Sequence, residues 1–211
     1  MQNALQTFIE IDKLVNRYPA LEICRDSIIQ AVEIIRDSFK SGGKLITCGN
    51  GGSASDAQHI VGELMKSFAI RRKVDPKILE RIEDPFVKEN LEGTLPAISL
   101  VNETALITAF ANDRTADLIF AQQILGIGNS NDVLLAISTS GNSKNVIHVV
   151  EVARAKNLKT IALTGRSGGK LRDRVDVAIR VPSDITFEIQ EFHLPIYHAI
   201  CLELEREFFS E

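Results

Sequence analysis

The sequence predicts an α/β fold: a doubly wound, mostly parallel sheet flanked by helices, with further helices at the N-terminus. Two observations carry this. Short, continuously apolar runs such as Asp132–Ile137 (DVLLAI) alternate along the chain with segments of helical periodicity, and strands covered by helices on both faces have no polar side to show. Two of those runs also empty directly into small polar loops, Gly49–Ser53 (GNGGS) and Ser138–Ser143 (STSGNS), each of which leads into a helix.

The elements follow in order. The stretch MQNALQTFIEIDKL is amphipathic and acidic, unlike a secretory signal. Leu21, Ile28, Ile29, Val32, Ile35 and Phe39 recur at helical spacing, and Gly42-Gly43 ends that helix. Lys44–Cys48 reads as a short buried strand and Asp56–Phe68 as a helix. Ala97–Val101, after Pro96, is a second strand, followed by helices over Glu103–Ala111 and Ala116–Leu125. Asp132–Ile137 is the third strand and Lys144–Lys156 its crossover helix. Lys159–Leu163 and Val175–Val181 supply two more strands, and Phe187–Phe209 closes the chain as a long helix. Residues 1–211 thus form one domain, with N-terminal helices over 1–43. Residues 71–93 are charged and interrupted by Pro76 and Pro85; they read as an insertion outside the sheet, partly helical around Ile78–Ile82, with Arg71-Arg72-Lys73 as a solvated loop.

A net charge of −4 and a pI near 5.7 argue against a nucleic-acid or anionic-membrane partner, either of which wants a clustered basic face. No run approaches the roughly 20 apolar residues of a membrane span, so a cytoplasmic protein is expected. Cys24, Cys48 and Cys201 are odd in number and lack CxxC spacing, which fits reduced thiols.

Both polar loops fall at the C-terminal ends of strands, where open α/β sheets bind ligands. Backbone N–H groups and the positive end of a helix attract an anion, and glycine lets the main chain approach it. Ser138, Thr139, Ser140 and Ser143 place four hydroxyls within six residues. A single cap, Ser143 or Asn142 for the second helix and Ser53 for the first, needs only one, so a phosphate site is the better reading. Nucleotide motifs are missing: Gly168-Gly169-Lys170 is followed by Leu171, and GxGxxG does not occur.

CGNGGS, Asn112-Asp113-Arg114 (NDR), STSGNS, Ala162–Lys170 (ALTGRSGGK) and Ile189–His193 (IQEFH) occur in the order seen in the sugar isomerase (SIS) domain family, which the chain resembles over nearly its whole length apart from residues 71–93. Within that family the pattern resembles the branch that interconverts sedoheptulose 7-phosphate and glycero-manno-heptose 7-phosphate. The resemblance implies a flavodoxin-like SIS fold and a sugar-phosphate substrate. It implies that Asn50, Gly51, Gly52, Ser53, Asn112, Asp113 and Gln190 line the sugar site, and that Ser138, Thr139, Ser140 and Ser143 hold the phosphate. His59, Glu63, Gln190 and His198 match positions that gather around zinc, with Glu63 and His198 matching the acid/base pair. A symmetric homotetramer with sites between subunits is also implied.

Aldose–ketose isomerisation moves a proton between C1 and C2 through an enediol, so it needs a base over carbon and an acid/base at the oxygens. Glu63 suits the first role if burial raises its proton affinity, and His198 the second. His59 and Glu63, at i and i+4, share one helix face. Gln190 and His198 are eight residues apart, about 12 Å along a straight helix. One ion takes both only if the side chains lean together, if Pro195 makes the helix irregular, or if they come from different subunits; His193 is a competing ligand. Cys48 reads as a buried packing residue, His148 as a structural or surface histidine, and Tyr18 and Tyr197 as core or interface residues. Two rival functions remain: a non-catalytic SIS binding protein like the factor that stimulates the bacterial replication initiator, and a sugar-phosphate-sensing regulator. The first lacks the acid/base pair; the second carries a DNA-binding domain for which this chain has no room.

Overall fold

A computed structural model describes residues 8–210, so Met1–Thr7 of the amphipathic N-terminal stretch lie outside the described residues. Five strands form a single parallel sheet: β1 (Leu45–Cys48), β2 (Ala97–Ser99), β3 (Val133–Ile137), β4 (Lys159–Thr164) and β5 (Val177–Arg180), in the spatial order β2-β1-β3-β4-β5. The helices are α1 (Ile9–Arg17), α2 (Arg25–Lys40), α3 (Gly52–Met65), α4 (Pro76–Leu79), α5 (Pro85–Asn90), α6 (Thr104–Asp113), α7 (Ile119–Ile127), α8 (Lys144–Ala155) and α9 (Thr186–Phe209).

The apolar continuity of the strands has a direct cause. Successive side chains point to opposite faces, and both faces are covered. Val133, Leu135 and Ile137 join the core built by α1, α2, α3 and α9; Leu134 and Ala136 join a second core with Phe120, Ile124, Val146 and Val150 from α7 and α8. Cys48 lies fully buried in the second core, and burial pushes its thiol up to about 12, which suits packing and not nucleophilic work. α6 is the exception: it buries none of its side chains although its sequence, TALITAFAND, is largely apolar.

Three expectations change. Pro195 does not break the closing helix, which runs unbroken through it from Thr186 to Phe209. The carbonyl that loses its donor belongs to Glu191, an exposed residue that water can reach. Residues 71–93 hold two short helices, and the prolines begin them: Asp75 caps Pro76–Leu79 by accepting from Lys77 N, and Asp84 caps Pro85–Asn90 by accepting from Phe86 N. An Asp-Pro pair at N-cap and N1 is a helix start. Arg72 is not part of a solvated loop; it is 2% exposed and ion-paired to Glu205 at 2.7 Å.

His193, on the sheet side of α9, is fully buried beside the Thr164 backbone. Burial holds its pKa down at about 4, so the folded protein keeps it neutral. Its contribution to stability is complete above the unfolded pKa of 6.5 and is lost as pH falls toward 4, to a limit of about 3 kcal/mol. Urea unfolding between pH 7 and pH 4 is expected to lose less stability in His193→Leu than in the parent; equal losses overturn this account.

Candidate active site

The strand order reverses between β1 and β3, and the crevice beyond the C-terminal ends of these strands is where the two polar loops emerge. In the first loop Gly51 has φ +56°, and a Cβ on Gly49 would lie 2.5 Å from the carbonyl oxygen of Ser53. Asn50 and Asn145 exchange two amide hydrogen bonds of 2.9 Å, tying this loop to the first turn of α8. In the second loop Ser138 is 4% exposed, with its Oγ 3.1 Å from Ser143 Oγ. The ALTGRSGGK segment backs this loop: Gly165 N donates to Thr139 O, Leu171 N to Gly141 O and Lys170 N to Asn142 Oδ1.

The capping expectation fails on both helices. Neither Gly51 at α3 nor Ser143 at α8 makes a side-chain cap bond, because Ser143 Oγ turns to Ser138 and Ser53 lies inside α3. The N-termini of two long helices thus face one crevice with no capping side chain at their N-caps, together with a hydroxyl pair; in α3 Ser53 N and Ala54 N donate to the carbonyls of Asn50 and Gly51. An anion suits that arrangement.

A second group of polar side chains joins α3 to α9. His59 Nε2 lies 3.0 Å from Glu63 Oε1, and His59 Nδ1 lies 3.0 Å from Tyr197 Oη, which donates to Asp56 Oδ1 at 3.3 Å. The His198 ring stands edge-on to those of His59 and Tyr197, at 5.0 Å from each. Its Nε2 is buried without a partner. Burial, with His59 alongside, lowers its pKa while the Glu63 carboxylate works the other way, so His198 is neutral at pH 7 and can take a proton. Burial raises the Asp56 pKa, while the Tyr197 hydroxyl and His59 beside it work the other way. A cavity of about 410 Å³ opens beside His198 and is lined also by Lys13, Arg17, Tyr18 and Phe68. The larger cavity of about 750 Å³, between Ile70–Ile78 and Phe208–Ser210, is remote from both loops.

The structure therefore brings together His59, Glu63 and His198, and separately Asn50–Ser53 with Ser138–Ser143. The two groups are not adjacent within one chain: Glu63 is three turns, about 16 Å, along α3 from Gly52. Gln190 belongs with the loops, its Nε2 only 2.4 Å from where a Cβ on Gly52 would be, and continuous α9 keeps it two turns from His198. Asn112 and Asp113 bond each other at the exposed end of α6. His193 faces the core and does not join the His59 cluster. Sequence reasoning missed Asp56 and Tyr197, although Asp-x-x-His within one turn of α3, and a tyrosine immediately before His198, were visible signals.

A profile of the SIS domain family matches residues 11–165. A phosphoheptose isomerase from Shewanella sp. (strain ANA-3) is 40% identical over 203 residues, covering 95% of this chain and 93% of its own. Phosphoheptose isomerases of known structure from Neisseria gonorrhoeae and Francisella tularensis superpose with TM-scores of 0.74 and 0.73, each at 34% identity. The first match covers 94% of both chains; the second covers 92% of this chain and 97% of the other.

The backbone contacts behind the hydroxyl loop make a comparison of two glycines informative. Gly42 and Gly141 both have positive φ, +76° and +63°, but an added Cβ meets open space at Gly42 and the carbonyl oxygen of Gly168 at 2.0 Å at Gly141. Gly141→Ala is expected to lose about 1–3 kcal/mol more stability than Gly42→Ala in urea titration. Equal losses would sink the claim that these two loops are in contact.

Proposed function

The chain belongs to the SIS domain family, and we propose that it is a phosphoheptose isomerase, converting sedoheptulose 7-phosphate to D-glycero-D-manno-heptose 7-phosphate for the heptose of lipopolysaccharide or another surface polysaccharide. The observation that carries this reading is the Glu63–His59–His198 cluster. A protein that only bound a sugar phosphate would need the loops and not a carboxylate bonded to one imidazole with a second ring against it.

In this reading the uncapped ends of α3 and α8 and the hydroxyls of Ser138, Thr139, Ser140 and Ser143 hold the phosphate, with Asn50, Gly51, Gly52, Ser53 and Gln190 along the sugar. Glu63 takes a proton from C1 and returns it to C2, while His198 moves the hydroxyl proton between O1 and O2. Asp56 and Tyr197 hold the His59 ring against Glu63. Zinc accepts imidazole nitrogen and carboxylate oxygen, so His59, Glu63 and His198 fit it as donor types, and the unpartnered Nε2 of His198 is available to it. Among the described residues no three such groups converge as they stand, and the His59–Glu63 bond opens if both are to ligate one ion. Zinc there would polarise the carbonyl as a Lewis acid.

The distance along α3 between loops and acid/base cluster, and the unburied apolar helix α6 ending at Asn112-Asp113, support a homotetramer whose pockets are completed by a neighbouring copy. Three free, buried cysteines support a reducing, cytoplasmic location. Among the described residues no helix is long and apolar enough to cross a membrane.

Purified protein given sedoheptulose 7-phosphate is expected to form the aldose. Glu63→Gln, verified as folded, should lower kcat by about 10²–10⁴-fold; a parental rate removes Glu63 from the chemistry. If zinc takes part, a chelator lowers the parental rate and added zinc restores it, and a rate indifferent to chelator ends that part of the reading. Leu106, 42% exposed on α6, provides the assembly test: Leu106→Glu should elute as a smaller species than the parent in gel filtration.

A further inference from the structure

Beyond the last turn of α3 the chain folds back, and Arg72 enters the interior. Its side chain and that of Glu205 on α9 are both fully buried. The guanidinium donates in three directions: Nε to Glu205 Oε1 at 2.7 Å, Nη2 to the backbone carbonyl of Glu63 at 2.8 Å, and Nη1 to the carbonyl of Leu64. Those carbonyls belong to the final turn of α3, where no intrahelical donor remains and a cation complements the helix dipole. Glu205 accepts in turn from three successive amides, Phe68 N and Ala69 N at 2.8 Å and Ile70 N at 3.1 Å. Phe68 lies against the His198 ring, centroid to centroid 5.4 Å.

A buried ion pair adds little net stability over apolar residues of the same shape, because desolvation offsets the attraction. What this pair does supply is geometry. Glu205 is seven residues from His198, two turns along α9 and on the same face. One rigid helix therefore carries His198 and, through Arg72, the anchor for the backbone of Glu63. We propose that Arg72 and Glu205 are positioning residues for the reaction: Arg72 fixes the end of α3 that bears Glu63, and Glu205 fixes the turn that seats Phe68 against His198. The inference rests on the reading of Glu63 and His198 as the acid/base pair.

Arg72→Lys is the gentle probe, since a single ammonium cannot span three acceptors that a planar fork reaches together. With the fold verified by circular dichroism and melting, kcat for sedoheptulose 7-phosphate is expected to fall about 10- to 100-fold while KM stays within about threefold, the pattern of misplaced reacting groups and not of lost binding. Glu205→Gln should do the same. A folded Arg72→Lys with parental kcat, or one that changes KM alone, overturns the proposal. Glu63→Gln in the same assay separates the two layers. If it is inactive while Arg72→Lys is parental, only the positioning role falls; if it is itself parental, the acid/base reading falls and takes this inference with it. Should neither variant fold, amide hydrogen exchange on the parent decides. Protection of the Phe68, Ala69 and Ile70 amides matching that of the sheet supports the anchor, and exchange at open-loop rates overturns it.

Discussion

A parallel sheet that grows outward from β1 in both directions must send its consecutive connections to opposite faces. β1 hands over to α3 on the face shared with α1, α2 and α9, whereas β3 hands over to α8 on the other. No connection crosses the gap between the ends of those two strands, so the gap stays open and two helix N-termini face it. The small residues of both loops follow from this divergence. Each loop turns sharply away from its strand, and Gly51 and Gly141 adopt the positive φ those turns require. The Asn50–Asn145 amide pair then bridges what the topology separates.

The proposed acid/base cluster depends on a different constraint, the side-by-side course of α3 and α9. Gly52 meets Gln190, His59 meets Tyr197, and the end of α3 meets Glu205 by way of Arg72, so the two helices advance together in register. Pro195 leaves that register intact because its missing donor falls on the solvent side. The imidazole of His59 is held at both nitrogens, whereas Nε2 of the neighbouring His198 has no partner.

Much of this was legible beforehand. DVLLAI, read as a strand covered on both sides, is one, and its alternate residues divide between two cores as the pattern required. The pairing of Glu63 with His59 followed from helical spacing alone. What stayed hidden depends on partners far away in sequence. Arg72 looks solvated among Arg71 and Lys73 until Glu205, 133 residues later, is folded against it. Asp56 and Tyr197 acquire meaning only through each other. The prolines of residues 71–93 were read as interruptions when the aspartate before each one marks a beginning. Ser143, one candidate cap, has its hydroxyl diverted to Ser138.

The run from Ser138 to Ser143 contains no lysine or arginine. A cradle made of hydroxyls and main-chain N–H groups holds an anion without a mobile counter-charge that dissolved ions could exchange with or shield. Basic grooves draw in polyanions of every kind from a distance. In the proposed reading the hydroxyl loop itself adds no such long-range pull, and selection there falls to fit at contact range.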